Sequence, residues 1–239
     1  MRAMIFAAGL GTRLRPLTDN KPKALVEVNG KPMISYVIDK LTSSGITDII
    51  VNVHHHADQL IDYFEQTLFE ADIVISDESD ELLDTGGGLK KAEWFLKGDE
   101  PFLVHNVDIM SDINIDELIS NHVQNESLAT LAVRSRKSSR YLLFDNHHQL
   151  IGWENVKTHE LKYAKPKKGE VHSYAFSGIQ IIEPEIFHLI TEQGKFSMID
   201  LYLRLAENYH IRSYIHDYSN WIDLGTEEQI KIAETTFFK

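Results

Sequence analysis

Phe6–Leu25 reads FAAGLGTRLRPLTDNKPKAL. The segment opens where the apolar run Ala3–Ala7 closes and sets Gly9 and Gly11 one residue apart. It then spreads Arg13, Arg15, Lys21 and Lys23 among the turn formers Pro16, Asp19 and Pro22. Glycine straight after a strand lets backbone approach a ligand closely. In a parallel α/β sheet, ligands bind off the carboxyl ends of the strands. The chain of 239 residues carries a formal net charge of -12, so it repels anions at long range. A basic loop in that setting points to a specific anionic ligand, against the plainer reading of a solvated surface turn.

Outward from this loop, strand and helix patterns alternate. Ala3–Ala7, Thr47–Val53, Asp72–Ser76, Pro101–His105 and Ser127–Val133 read as strands. Pro32–Thr42, Ala57–Leu68, Gly87–Leu96 and a stretch from Ile115 to Val123 read as helices, with Gly45 placed to end the first. That alternation predicts a Rossmann-like three-layer α/β/α fold around a mostly parallel mixed sheet. After Arg134 the pattern changes. Arg140–Asp145, His148–Trp153 and Tyr174–Ile182 read as strands, and Glu160–Gly169 as an exposed loop. Helices return at Pro184–Thr191 and Ile199–Asn208, and Thr226–Phe238 reads as a closing helix with Thr226 and Gln229 spaced as a capping box. The expectation is one domain over 1–239, with a nucleotide-binding part (1–135), a β-rich part (136–225) and the closing segment (226–239).

With 43% apolar residues the chain can bury a sizeable core. It has no cysteine, which excludes disulfides and thiolate metal sites and suits a reducing, cytoplasmic setting. MRAMIFAA is too short an apolar run for a signal peptide, and no run approaches the roughly 18 residues that span a bilayer. The acidic balance argues against broad nucleic-acid binding, which needs a basic face.

Three phosphate-binding patterns compete for the glycine loop. A P-loop requires Gly-Lys-Ser/Thr after four residues, which is absent. A dinucleotide fold requires a third glycine and an acid after the second strand; Leu14 and His54 stand there instead. The third is a triphosphate clamp of backbone amides with arginine and lysine, for which Arg13 supplies a fork and Lys23 a point charge.

At this point the residues resemble a family. GLGTRLRPLT followed by KPKAL is similar to the signature of the sugar-1-phosphate nucleotidylyltransferases, the NDP-sugar pyrophosphorylases. Further stretches match in order: LDTGGG (Leu83–Gly88) resembles the nucleobase loop, and VHNVD (Val104–Asp108) a strand ending in Gly-Asp. FSGI (Phe176–Ile179) resembles the sugar-contacting strand, and WIDLGT (Trp221–Thr226) the late Trp-x-Asp-x-Gly-Thr motif. The resemblance spans nearly the whole chain. It is greatest to short N-acetylmuramate-1-phosphate uridylyltransferases and short mannose-1-phosphate guanylyltransferase-like members, which lack a C-terminal β-helix. It implies a nucleotide-diphospho-sugar transferase fold of GT-A-like type, with 136–225 as the sugar-binding part.

The resemblance further implies Mg²⁺-dependent transfer of a nucleotidyl group from an NTP, UTP or GTP, to a sugar 1-phosphate, releasing pyrophosphate. Arg13, Lys23 and Asp108 would be catalytic. Ala8, Gly9, Gly11, Thr12, Arg13, Lys23, Asp84, Thr85, Gly86 and Asn106 would bind the nucleotide. Asn155, Lys157, Ser177 and Gly178 would bind the sugar phosphate, and Asp108 with Asp223 would hold Mg²⁺ through hard oxygens. Two departures stand out. Val107 replaces the glycine before the metal aspartate, and the Glu-Lys-Pro lysine of the family has no match, leaving Asn155 or Lys157 as substitutes. Arg15 and Lys21 read as solvated charge, and Asp112 and Asp116 as cap or turn formers. His54–His56 are consecutive, so their rings project in different directions and do not make a shared-face ligand set. The partners implied are NTP and sugar 1-phosphate, without nucleic acid or membrane, for a monomer or small homo-oligomer. A phosphocholine cytidylyltransferase-like enzyme and a non-catalytic nucleotide-sugar sensor are the rival readings.

Overall fold

The computed structural model describes residues 1–166 and 169–238. The N-terminal half runs β1 (Arg2–Phe6), β2 (Glu27–Val28), β3 (Lys31–Pro32), α1 (Met33–Ser43), β4 (Asp48–Val53), α2 (Ala57–Gln66), β5 (Asp72–Asp77), α3 (Asp84–Lys91), α4 (Glu93–Leu96), β6 (Phe102–Asn106), β7 (Ile109–Ser111), α5 (Ile115–Gln124) and β8 (Ala129–Arg134). The remainder runs β9 (Arg140–Phe144), β10 (Leu150–Asn155), β11 (Glu160–Tyr163), β12 (His172–Ile182), α6 (Ile186–Leu189), α7 (Met198–Leu205), β13 (Ile211–Ile215), β14 (Trp221–Asp223) and α8 (Glu227–Phe237).

Ten strands form one mixed sheet in the order β11-β10-β9-β12-β6-β1-β4-β5, with β8 on β12 and β13 on β8. The pairings of β1 with β4 and β6, of β4 with β5 and of β8 with β13 are parallel. Those of β12 with β6, β8 and β9, and the hairpins β9–β10 and β10–β11, are antiparallel. The parallel character thus belongs mainly to the first half, and the long β12 ties the two halves together. Successive side chains of a strand point to opposite faces. Accordingly Ala3, Ile5, Ile49 and Val51 enter a core with Ile34, Ile38, Leu41 and Leu118 of α1 and α5, while Met4 and Ile50 enter the other with Leu89, Leu201 and Tyr202 of α3 and α7. Among the described residues no helix is long and apolar enough to cross a membrane.

Most sequence expectations hold within a residue or two. Gly45, at φ 74°, closes α1, and the Thr226 hydroxyl caps α8 by accepting from the Gln229 N–H at 3.3 Å. Three differ. LDTGGG is not a loop: α3 begins at Asp84, and the helix expected over Gly87–Leu96 breaks at Ala92 into α3 and α4. Within the expected exposed loop Glu160–Gly169, Glu160–Tyr163 is the edge strand β11, every residue of it exposed. Lys167 and Lys168 of that loop, and Lys239 of the closing segment 226–239, lie outside the described residues. No strand is expected from the sequence at β2, β3, β7, β13 or β14. β7 and β14 nevertheless form the ladder on which the site is built.

A third apolar cluster braces that ladder. Leu14 and Val26 from the basic segment pack with Met110 of β7, Ile222 and Leu224 of the β14 segment, and Ile230 and Ala233 of α8. The closing helix therefore clamps the basic turn onto the ladder, and truncating Leu14, Met110, Ile222, Leu224 or Ile230 to alanine should each cost about 2–5 kcal/mol.

Candidate active site

The chain leaves β1 into a turn held from both sides. The Ala7 N–H donates to Asn52 Oδ1 at 2.7 Å, and the Thr18 hydroxyl to the Gly11 carbonyl at 2.8 Å. Gly11 sits at φ 63°, and a Cβ there would come within 2.8 Å of Thr18 Cγ2, so glycine is required twice over. Two short 3₁₀ turns, Thr12–Leu14 and Lys23–Leu25, then bring Arg13 and Lys23 to the same rim. Leu14 is buried and serves as the anchor; Arg13 beside it is exposed.

Asp108 follows β6 at the same rim and accepts a salt bridge from Lys23 Nζ. The Lys23 side chain is 9% exposed and that of Asp108 19%. Asp223 pairs with Ile109 in the β7–β14 ladder, and the Leu224 N–H donates to the Asp108 carbonyl at 2.8 Å. The two aspartates therefore belong to directly bonded segments. Arg13 Nη2 lies 3.4 Å from Asp223 Oδ1. Its guanidinium covers Gly225, where a Cβ would fall 2.5 Å from Nη2. Each carboxylate is thus offset by one cation of the basic turn. Among the described residues no group of three or more His, Asp or Glu side chains is arranged to hold a metal. Asp108 and Asp223 offer two carboxylates on neighbouring segments, the hard-oxygen chemistry that a divalent cation prefers.

Beside the pair opens a cleft of about 400 Å³ lined by Ala8, Gly9, Lys23, Asp84, Thr85, Asn106 and Asp108. Phe6, Asn52, Glu78, Leu82, Val107 and Lys195 complete its wall. A smaller recess of about 130 Å³ lies between Gly9, Gly11, Thr12, Arg13 and Gly225. The glycines of α3 are there for packing. A Cβ on Gly86 would overlap the Phe196 ring at 2.3 Å, and one on Gly87 the Gly194 carbonyl at 2.4 Å. Gly86 donates its N–H to the Phe196 carbonyl at 2.9 Å, and Thr85 Oγ1 accepts from the Met198 N–H at 3.0 Å. Asp84 Oδ1 accepts from the Thr85 N–H at 2.6 Å. The start of α3 is therefore welded to the 196–198 segment while still facing the cleft.

Sequence reasoning missed Asn52, Glu78, Lys195 and Arg136. Asn52 and Glu78 form a buried pair, Nδ2 to Oε1 at 2.8 Å, that supports the turn through Ala7 and α3 through the Leu83 N–H. Burial raises the Glu78 carboxyl above its ordinary range, opposed by the Asn52 hydrogen bond. The available signal was Asn52 itself, an amide inside the apolar run TDIIVNV. Arg136 lies over the Trp221 ring, 4.4 Å from its centroid.

Some expected contacts are not brought to the cleft. Ser177 is fully buried; its hydroxyl meets His216 Nε2 at 2.6 Å, and its carbonyl accepts from Trp221 Nε1 at 2.8 Å. The β12–β8 register shifts between Phe176 and Gln180, and Gly178 sits at φ 77° within that shift. The bulge re-aims Ser177 inward. Gly178 itself lies tight against Asn106, where a Cβ would fall 2.9 Å from Nδ2. Asn155 closes the β10–β11 turn by accepting from the Lys157 and Thr158 N–H groups, and neither Asn155 nor Lys157 lines the cleft. Val107 fits where glycine was expected, with its N–H donated to the Phe6 carbonyl and its side chain in the core. Arg15 pairs with Asp19, Asp112 receives Asn220, and His54 Nδ1 meets the Glu78 carbonyl at 2.6 Å.

A profile of the family described as Nucleotidyl transferase matches residues 2–236. The chain is similar to the N-acetylmuramate alpha-1-phosphate uridylyltransferase of Caulobacter vibrioides, 32% identical over 97% of this chain and 94% of that one. It is 31% identical to the enzyme of that name from Neisseria meningitidis, over 98% and 97%. The mannose-1-phosphate guanyltransferase of Yarrowia lipolytica is 31% identical over 94% of this chain, which spans only 61% of that relative. Two solved structures show the fold: a UDP-glucose pyrophosphorylase from Acinetobacter baumanii (TM-score 0.79, 17% identity, covering 98% of this chain and 91% of that one) and HddC from Yersinia pseudotuberculosis (TM-score 0.77, 22%, 99% and 99%). Motif, fold and rim geometry converge, and the chain belongs to the nucleotidyl transferase family, among its sugar-1-phosphate nucleotidylyltransferases.

Proposed function

We propose that this chain transfers the uridylyl group of UTP to N-acetylmuramate 1-phosphate, releasing pyrophosphate. The observation that carries the reading is the meeting of Lys23, Asp108, Asp223 and Arg13 beside the Gly9–Gly11 turn. The choice of pair is supported by the relatives matched from end to end.

An oxygen of the sugar phosphate attacks the α-phosphorus, the bond to the bridging oxygen of the β-phosphate breaks, and pyrophosphate leaves with that electron pair. Both reactants are anions, so the protein's task is alignment and charge neutralisation. Arg13 holds the β- and γ-phosphates and then pyrophosphate. Lys23 stands between the α-phosphate and the acceptor phosphate, where charge gathers in the transition state. Ala8, Gly9, Gly11 and Thr12 present backbone to the phosphates and ribose, and Asp84, Thr85, Gly86 and Asn106 line the nucleoside cleft. Asp108 and Asp223 would hold magnesium, which supplies Lewis-acid neutralisation of phosphate charge when bound. In this reading residues 1–135 supply most of the nucleotide contacts and 136–225 the acceptor side, with Asp223 reaching back towards the metal and Lys195 towards the nucleoside cleft.

The test is a panel of NTPs against sugar 1-phosphates with magnesium, read by pyrophosphate release and product mass. UDP-N-acetylmuramate as the fastest-formed product supports the reading. Turnover with CTP and phosphocholine alone, or nucleotide-sugar binding without any turnover, overturns it.

A further inference from the structure

Arg136 is a cation the mechanism above does not use. It lies two residues beyond the end of β8, with its guanidinium stacked on Trp221. Nη2 donates to the Phe176 carbonyl at 3.1 Å, and Nε is buried without a partner. Among the described residues it forms a salt bridge with no carboxylate. Trp221 is itself fixed by its bond to Ser177.

The position is set by β14. Ile222 and Leu224 turn into the third apolar cluster. Trp221 and Asp223, two residues apart on the strand, therefore share the opposite face. A guanidinium lying on Trp221 stands on the side of Asp223 where Arg13 also reaches. Burial lowers the pKa of Arg136, and the charge of Asp223 opposes part of that effect. The supports of Arg136, Phe176 and Trp221, both come from the half that follows β8, whereas the glycine turn and Lys23 come from the nucleotide half. Guanidinium offers a flat fork matched to oxyanions, and stacking on a ring orients that fork in advance.

We propose that Arg136 binds an oxyanion of the acceptor, either its phosphate or a carboxylate on its sugar. This rests on the reaction proposed above, and it places an acceptor-side cation where the family's Glu-Lys-Pro lysine has no match.

The test measures KM for UTP and for two acceptors, N-acetylmuramate 1-phosphate and N-acetylglucosamine 1-phosphate, which differ by one carboxylate-bearing ether. Arg136→Met is expected to raise acceptor KM about tenfold or more while UTP KM moves less than about twofold. Arg136→Lys, which keeps the charge without the fork, should fall between and decides the matter if the methionine variant does not fold. Equal rises for both acceptors assign the anion as the phosphate; a rise confined to N-acetylmuramate 1-phosphate assigns it as the carboxylate. Acceptor KM unchanged in both variants, or acceptor and UTP KM rising together with a fall in melting temperature, overturns the inference while leaving the reaction standing. A wild type inert with every pair overturns the reaction and this inference with it.

Discussion

Lys23 and Asp108, 85 residues apart in sequence, share a salt bridge at the cleft with side chains only 9% and 19% exposed. A pair this buried contributes little net stability as a pair, yet removing one partner leaves an uncompensated charge in a poorly solvated place. Lys23→Met is therefore expected to cost about 3 kcal/mol in urea unfolding, and Lys23→Met with Asp108→Asn clearly less. Activity should behave differently. Both the single and the double variant should lose about 100-fold or more in kcat, because on the proposed mechanism each lacks the cation that faces the phosphates. Near-normal turnover in the stable double variant would remove Lys23 and Asp108 from the chemistry.

Gly225→Ala isolates Arg13. The added Cβ would meet the guanidinium at about 2.5 Å, and the flexible arginine is what gives way. Arg13 and Asp223 are 61% and 36% exposed, so losing their contact should change stability by less than about 1 kcal/mol. The expected result is an unchanged melting temperature with kcat/KM for the NTP down about tenfold. If both are unchanged, Arg13 does not hold the polyphosphate from the position seen here.

The contrast between these two arginine and lysine sites shows what the sequence could reveal. Lys23, Arg13, Asp108 and Asp223 were legible because a long motif fixed them relative to glycines and prolines. The α/β alternation was legible because buried strands keep their apolar period. LDTGGG misled because its resemblance is to a loop, with a helix expected only from Gly87; α3 starts earlier, at Asp84, and Phe196 and the Gly194 carbonyl approach so closely that positions 86 and 87 tolerate no side chain. Ser177 misled because a β-bulge reverses which residue faces the site, and the bulge is visible only in the register against β8. Arg136 belongs to no periodic element, so nothing local announced that Trp221, 85 positions later, would carry it.

Two buried histidines make stability depend on pH. Burial pushes His105 and His216 down to about 4 from the ordinary 6.5. Between those values the unfolded chain binds protons that the native one refuses, so stability is full above 6.5 and is lost as pH falls towards 4. His216→Gln keeps a hydrogen-bonding side chain for the Ser177 hydroxyl and removes one titrating group. In urea unfolding across that range its stability should fall less steeply than wild type, by up to about 1.4 kcal/mol per pH unit. Parallel curves for the two proteins would show that His216 is protonated in the native state.

Asn52 separates support of the nucleotide turn from support of the acceptor. Its Oδ1 holds the Ala7 N–H and its Nδ2 holds Glu78, both within the buried floor of the cleft. Asn52→Leu keeps the volume and removes both bonds, leaving a backbone donor and a carboxyl oxygen unpaired. The cost should be about 2–6 kcal/mol by urea unfolding, since each of the two orphaned groups loses about 1–3. Released from its tether, the Ala7–Gly9 turn should bind NTP about tenfold more weakly, while acceptor KM stays within about twofold. Asn52→Asp should be worse at neutral pH than Asn52→Leu, because it sets a second carboxylate against Glu78. Equal effects of Asn52→Leu on both substrates would mean that the amide stabilises the sheet as a whole and has no particular tie to the turn.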